Sequence, residues 1–479
     1  MNIIISNVID IENPTTEMKK FCKKELTYKN PEMEKRKRMG FYVYGMDKEI
    51  KLYSEYNNHL YLPVGFFDKL FAFHPVPSDY KDYSVEVPIN ISSNIKLRDY
   101  QELAIPAVGK YKCGILNLPV GLGKTELALE CVNRYKQKTL WITHTSDLVK
   151  QAKERAESKM VCKTSTITEG KCDTSGDIVF ATVQTLIKCI EKGMLEQNMF
   201  GMIIVDECHK TSTNPQSIQM FRTCIEYFAS TYRIGLTATL HRADGLAECI
   251  KKIIGDIIYK IEKKDNDYAC IYENRILLKF PIDSFQVSAQ IKILYSDYNV
   301  MDKDVFSADG GTLVYARLIT SIAEDKSRND LIIGTLKDIK GSTIVLSDRV
   351  EQLKYLCDNV ENGVQIDGST PKKEREKALK DVDSGKKKYL FASYALAKEG
   401  LNLPILSNLV MASPVKDFAI VSQSIGRIQR PYQGKTIATV YDIIDDIGML
   451  YRFYTKRRST YRKNNWAISD MYLTGKGEW

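Results

Sequence analysis

The stretch Leu118-Pro119-Val120-Gly121-Leu122-Gly123-Lys124-Thr125 decides how the rest of the chain is read. It follows a short apolar run, Cys113 to Leu118, and opens a segment with helical spacing, Glu126 to Tyr135. A strand, a glycine-bearing turn and a helix in that order form a phosphate loop. Gly121 and Gly123 let backbone amides turn toward phosphate oxygens, and the helix start adds positive potential. Lys124 is suited to reach the β and γ phosphates, and the Thr125 hydroxyl to ligate magnesium. The strict pattern has glycine where Leu118 stands, so a second motif is needed beside it.

Met202-Ile203-Ile204-Val205-Asp206-Glu207-Cys208-His209 supplies that motif, with Asp206 lying 82 positions beyond Lys124. An apolar strand ends there in two adjacent carboxylates. Magnesium prefers hard oxygen ligands, so Asp206 is expected at the metal, leaving Glu207 to polarise an attacking water.

Working outward, the apolar runs Thr139 to Thr143, Ile178 to Thr182 and Arg233 to Thr237 alternate with helical stretches. Strands buried on both faces and separated by helices predict an α/β fold with a doubly wound parallel sheet. A second series, Arg275 to Phe280, Thr343 to Leu346, Lys388 to Ala392, Asn408 to Ala412 and Thr436 to Ile443, predicts another. The first ~90 residues read as a small α+β domain, helical at Thr16 to Leu26 and strand-like at Phe41 to Tyr44. The expected boundaries are 1–94 for this accessory domain, 95–265 for the first α/β domain and 266–479 for the second. The run Lys35-Arg36-Lys37-Arg38 is either a solvated helix face or a nucleic-acid contact.

Sixty-nine Lys plus Arg against sixty Asp plus Glu leave a net charge of +9, compatible with a polyanionic partner without requiring one. The eleven cysteines contain no C-x-x-C pair, which argues against a disulfide framework and a zinc ribbon. Five histidines without ligand spacing make a catalytic zinc site an unfavoured reading. No apolar run approaches the ~20 residues that span a bilayer, and Met1 to Asn7 lacks the form of a secretory signal. A cytoplasmic protein with no membrane partner is expected.

With these residues in place the chain resembles the superfamily 2 helicases and translocases, in which a D-E-x-H box follows a phosphate loop. Arg98-Asp99-Tyr100-Gln101 looks like that family's adenine-holding segment, so Arg98 and Gln101 are implied nucleotide contacts. Thr237-Ala238-Thr239 looks like the motif coupling hydrolysis to nucleic acid, and the resemblance implies a coupling role for Thr237, Thr239 and His209. Gly400-Leu401-Asn402-Leu403-Pro404 matches the fifth motif, adding Gly400 and Asn402 to the coupling set. Gln423-Ser424-Ile425-Gly426-Arg427-Ile428-Gln429-Arg430 matches Q-x-x-G-R-x-x-R, which implies a nucleotide contact for Gln423 and catalytic roles for Arg427 and Arg430. Together the motifs imply two RecA-like domains, ATP and Mg2+ as cofactors, and arginines that meet ATP from across a cleft. Tyr232 to Thr239 followed by Arg242-Ala243-Asp244-Gly245 is similar to the branch typified by XPB and UvsW, and the N-terminal segment resembles phage helicases that migrate DNA branches. For a viral chain, which the phage-like resemblance suggests, the cytoplasm is the host cell's, and a monomer is expected.

By the same resemblance, strand contacts are implied for Thr143, His144, Thr182, Gln184 and Arg242, and for Ser347, Arg349 and Ser393 in the second domain. Hydroxyls, amides and bases suit a sequence-independent grip on phosphates. Taken singly, each of these residues reads equally as a helix cap or turn former. The C-terminal Tyr451 to Lys463 interleaves aromatics with bases, which suits either nucleic acid or an amphipathic helix docked on the second domain. DNA is the expected track, an RNA helicase or transcript-release factor the alternative, and a scaffold with a decayed ATP site is disfavoured by the intact motif residues.

Overall fold

The computed structural model describes residues 2–74, 80–209, 214–238, 246–264, 267–281, 287–298, 305, 314–398, 403–415 and 418–471. The chain forms two compact units, Met1–Phe280 and Pro281–Trp479.

In the first unit the strands Thr139–Thr143 and Ile178–Thr182 are buried at every position, whereas Asn2–Ile5 and Ile9–Glu12 alternate. Full burial requires cover on both faces, and alternation only on one. The fully buried strands lie in a ten-stranded sheet ordered Lys171–Cys172, Thr164–Thr168, Ile178–Thr182, Thr139–Thr143, Met202–Val205, Tyr232–Thr237, Cys113–Asn117, Ile257–Lys264, Asp267–Tyr272, Arg275–Pro281. From Thr164–Thr168 to Ile257–Lys264 all neighbours run parallel. The alternating strands belong to a separate five-stranded sheet of the N-terminal segment.

That segment docks through its backbone. The short turn Val64–Phe66 lies so close to the end of the helix Ala247–Ile254 that a Cβ on Gly65 would come within 2.4 Å of the Gly255 amide. Buried Arg233 donates to the Ser6 and Phe228 carbonyls at 3.0 Å each, tying the same segment to the strand Tyr232–Thr237.

Two sequence expectations change here. Arg275–Pro281 is the outer strand of the first sheet, not part of the second series. Glu273 and Asn274, at φ 48° and 60°, make a two-residue turn that folds it back beside Asp267–Tyr272. Phe41 to Tyr44 is not a strand: it lies in an irregular turn between Gly40 and Gly45, both at positive φ, with exposed aromatic side chains.

The second unit holds a seven-stranded parallel sheet ordered Gly363–Ile366, Tyr389–Ser393, Thr343–Ser347, Asn408–Met411, Ile437–Ile444, Ser288–Tyr295, Ala467–Met471. Alternate residues feed two cores, Ile344 and Leu346 on one face and Val345 on the other. The C-terminal helix Gly448–Lys463 is docked by its inner face. Buried Arg457 forms a paired contact with Asp442, both bonds at 2.9 Å, and Tyr461 donates to the same carboxylate at 2.8 Å. The docked-helix alternative therefore accounts for Tyr454, Arg457 and Tyr461, leaving Arg452, Lys456 and Arg462 at the surface. No helix among the described residues is long and apolar enough to cross a membrane.

Candidate ATP site

Parallel strands put their carboxyl ends along one edge of a sheet, where ligands of such folds bind. In the first unit the phosphate loop leaves Cys113–Asn117, and Asp206 leaves Met202–Val205, with only Tyr232–Thr237 between them. Two strand spacings, roughly 10 Å, therefore separate the two departure points. That is the reach of a nucleotide's phosphates and a metal.

Gly121 and Gly123 sit at φ 87° and 70°, conformations that a Cβ disfavours. A Cβ on Gly123 would also meet the Gln101 amide nitrogen at 2.6 Å. Gly123 precedes the helix Lys124–Tyr135, whose first amides face the loop. Leu118 fits where the strict pattern has glycine because it is buried and its amide bonds to the Thr237 carbonyl at 3.0 Å. The Lys124 ammonium crosses the loop and donates to the Leu118 carbonyl at 3.3 Å, while Thr125 lies in the first helical turn.

The segment before the loop acts as its scaffold. Buried Gln101 donates from Nε2 to the Leu122 and Gly123 carbonyls at 3.2 and 3.0 Å, and its Oε1 accepts from the Arg98 amide at 2.9 Å. Exposed Arg98 donates to the Tyr100 hydroxyl at 3.2 Å, which donates in turn to Leu122. The one sequence signal for Tyr100 is its place between Arg98 and Gln101.

Asp206 and Glu207 are half-buried neighbours. Burial, reinforced by the Glu207 charge and opposed by the Lys124 ammonium, pushes the Asp206 carboxyl up to about 7. Two adjacent carboxylates in a desolvated pocket favour a bound cation, so this donor set fits magnesium. Glu207 holds φ 47°, a left-handed conformation costing roughly 1–2 kcal/mol for an L-residue. Such strain at a strand end, next to the phosphate loop, marks a residue whose direction matters.

His209 links the acids to the neighbouring strand. Its Nδ1 lies 3.2 Å from Glu207 Oε2 and 3.1 Å from Thr237 Oγ1. Because the Thr237 carbonyl also holds the Leu118 amide, a continuous path runs from the loop through Thr237 and His209 to Glu207.

The implied track residues stand farther along the same edge. Thr143 and Thr182 are register partners at the ends of adjacent strands, on the side of Asp206 away from the phosphate loop. Their hydroxyls bond locally, Thr143 to the Thr145 carbonyl at 3.0 Å and Thr182 to Thr185 Oγ1 at 3.1 Å. His144 is half-buried, and Gln184 is exposed on the first turn of the helix Val183–Glu191. In the second unit Ser347 and Ser393 are likewise register partners. Ser347 is buried and bonds to Gln352, Ser393 accepts from the Leu396 amide, and Arg349 lies against the helix Tyr315–Glu324 through Thr320 and Ala316. Thr239, Arg242, Gly400 and Asn402 lie outside the described residues.

Gln423 and Arg427 stand four positions apart on the helix Phe418–Ile428, hence on one face, and Arg430 follows its end. Gln423 Oε1 is buried without a hydrogen-bond partner among the described residues. Lys435, which no sequence pattern marks, donates to the Pro404, Leu406 and Arg430 carbonyls at 3.1, 2.6 and 2.9 Å, joining the fifth motif to the sixth.

The fold and this site define a two-unit phosphohydrolase of the RecA-like kind. Residues 94–242 match the model of the type III restriction enzyme res subunit, and residues 327–431 that of the helicase conserved C-terminal domain. The DNA 3'-5' translocase XPB2 of Sulfurisphaera tokodaii is 28% identical over 82% of this chain and 94% of its own. The "Probable helicase D10" of Escherichia phage T5 is 26% identical over 98% and 96%. The ATP-dependent DNA helicase uvsW of Enterobacteria phage T4 is 25% identical over 70% and 66%. Among solved structures, Saccharomyces cerevisiae Dbp5 bound to RNA and ADP BeF3 matches with a TM-score of 0.55 at 14% identity, over 78% of this chain and 90% of that one. The chain belongs to the superfamily 2 helicases, with XPB- and UvsW-like relatives, and is an ATP-dependent helicase.

Proposed function

We propose that this helicase is a DNA motor that unwinds or branch-migrates duplex and branched DNA during replication and recombination. The observation that carries the reading is the path Leu118–Thr237–His209–Glu207, which connects the phosphate loop to the water-activating carboxylate through a strand end. A grip on nucleic acid that moves this edge reorients Glu207, and hydrolysis follows occupancy of the track. The names of two relatives, a DNA translocase and a DNA helicase, support DNA as that track.

In the chemical step Lys124 balances charge on the γ-phosphate and Glu207 polarises the attacking water. Thr125 and Asp206 would hold magnesium, which when bound neutralises charge on the β and γ oxygens. Arg98 and Gln101 shape the adenine side, directly or through the loop they brace. Gln423, Arg427 and Arg430 are brought to the nucleotide during the cycle, where guanidinium groups stabilise the transferred phosphoryl group. Thr239, Gly400 and Asn402 take part in coupling, and Thr143, His144, Thr182, Gln184, Arg242, Ser347, Arg349 and Ser393 line the track. Because several of these hydroxyls already cap local backbone, their backbone amides and neighbours make the phosphate contacts with them. The protein works in the cytoplasm as a monomer.

A motor that exchanges base pairs at a junction works at nearly constant pairing energy, so ATP supplies direction. The test offers the protein ATP and magnesium with a four-way junction, a forked DNA and a tailed RNA duplex, and follows strand products with time. Processing of the DNA structures is expected. Processing of the RNA duplex with both DNAs intact would refute the reading in favour of an RNA track.

A further inference from the structure

Within the N-terminal segment, residues 31–48 form an excursion closed at its base. Asn30 caps the helix Pro31–Arg38 by accepting from the Glu32 and Met33 amides, donates from Nδ2 to the Asp47 carbonyl at 2.8 Å, and its amide bonds to the Lys48 carbonyl at 3.0 Å. Buried Met33 roots the helix. Beyond this base the helix turns over at Gly40, with the Phe41 amide returning to the Arg36 carbonyl at 2.9 Å, and the Met46 amide closes on Val43 at 3.2 Å.

On this braced turn stand Phe41, Tyr42 and Tyr44, exposed by 62, 79 and 85%. Tyr44 and Tyr42 are the two most exposed large apolar side chains among the described residues. Rings presented this way on a hydrogen-bonded turn mark a contact surface. Of the four adjacent bases only Arg36 has an ion-pair partner, Glu32 at 3.4 Å; Lys35, Lys37 and Arg38 make none among the described residues.

We propose that this excursion is a prong that holds unpaired nucleotides, Tyr42 and Tyr44 stacking on bases while Lys35, Lys37 and Arg38 meet the adjoining phosphates. The charge selects a polyanion, and the rings select its form. A flush duplex keeps its base faces stacked inside and offers phosphates alone, whereas a displaced strand offers both phosphates and base faces. The inference rests on the reading of the protein as a DNA motor and adds which part of a fork this segment holds.

The test uses the full chain carrying Tyr42→Ala with Tyr44→Ala, and a second variant with Phe at both positions. Anisotropy titrations compare oligo(dT), a fork with two unpaired arms, and a flush duplex. Removing a stacked ring weakens binding roughly 5- to 150-fold per base, so the Ala variant should lose at least about 5-fold on oligo(dT) and fork. Affinity for the flush duplex, the melting temperature and turnover at saturating DNA should stay unchanged, and the Phe variant should match the parent. Unchanged affinity for the unpaired substrates, or an equal loss on the flush duplex, would overturn the prong. If the unsubstituted protein neither binds DNA nor hydrolyses ATP faster with it, the motor reading itself fails, a result separable from failure of the prong alone.

Discussion

Replacing Asp206 by Asn should stabilise the first unit while abolishing hydrolysis, and the structure sets the size and pH dependence of the gain. An ordinary Asp ionises near 3.8, whereas burial and Glu207 hold the Asp206 carboxyl at about 7. Between those values the folded state keeps a proton that the unfolded state has released. Stability therefore falls as pH rises through that window, and the full penalty stands above pH 7. At about 1.4 kcal/mol per pKa unit, some three units set a ceiling of about 4 kcal/mol. Asp206 is only half-buried and shares its field with Glu207, so roughly 1–3 kcal/mol is expected, or about 2–6 °C for a unit of this size. Calorimetry without magnesium or nucleotide, from pH 4 to 8, measures it. The melting temperatures of parent and Asp206→Asn should coincide near pH 4 and diverge in favour of the variant by pH 7. Magnesium with a non-hydrolysable nucleotide should narrow the gap by stabilising the parent more than the variant. Equal melting temperatures throughout, or a less stable variant at pH 8, would show that Asp206 carries no such penalty in the folded state.

Glu207→Gln should keep nucleotide affinity and lower turnover by about 10² or more, read from binding curves beside steady-state rates. Arg427→Ala should lower turnover by roughly 10³ with a small change in affinity, because a transition-state contact acts on rate. Lys435→Met should cost the second unit about 2 kcal/mol through three lost donor contacts. Burial and then Arg430 push the Lys435 ammonium down to about 8 from an ordinary 10.5. The folded state thus gives up its proton first, and the stability difference between parent and Met variant should widen between those pH values in chemical denaturation.

The local geometry of the candidate ATP site was legible in part because it depends on order along the chain. A strand, two glycines, Lys124 and a helix must be contiguous, and so must Met202–Val205 and the acids that follow it. What escaped reading depends on partners distant in sequence. No one-dimensional pattern shows that the Gln101 amide braces the loop carbonyls 21 and 22 positions away. Arg275–Pro281 has the composition of a strand in either series, and the positive-φ pair Glu273–Asn274 decides which sheet it joins. Phe41 to Tyr44 alternates as a strand does, but periodicity carries no information on whether an edge is available to pair with. Lys435 carries no motif, because its three acceptors are backbone carbonyls that any sequence supplies.

If nucleic acid governs ATP turnover through the Thr237–His209–Glu207 path, cutting that path must uncouple the two. The most direct measurement is the steady-state ATPase rate of the parent and of His209→Ala, each with magnesium, with and without forked DNA. Strong stimulation of the parent by DNA is expected, with a variant that still binds ATP and DNA but responds weakly. A parent rate indifferent to DNA, or a variant stimulated as fully as the parent, would contradict coupling through this path.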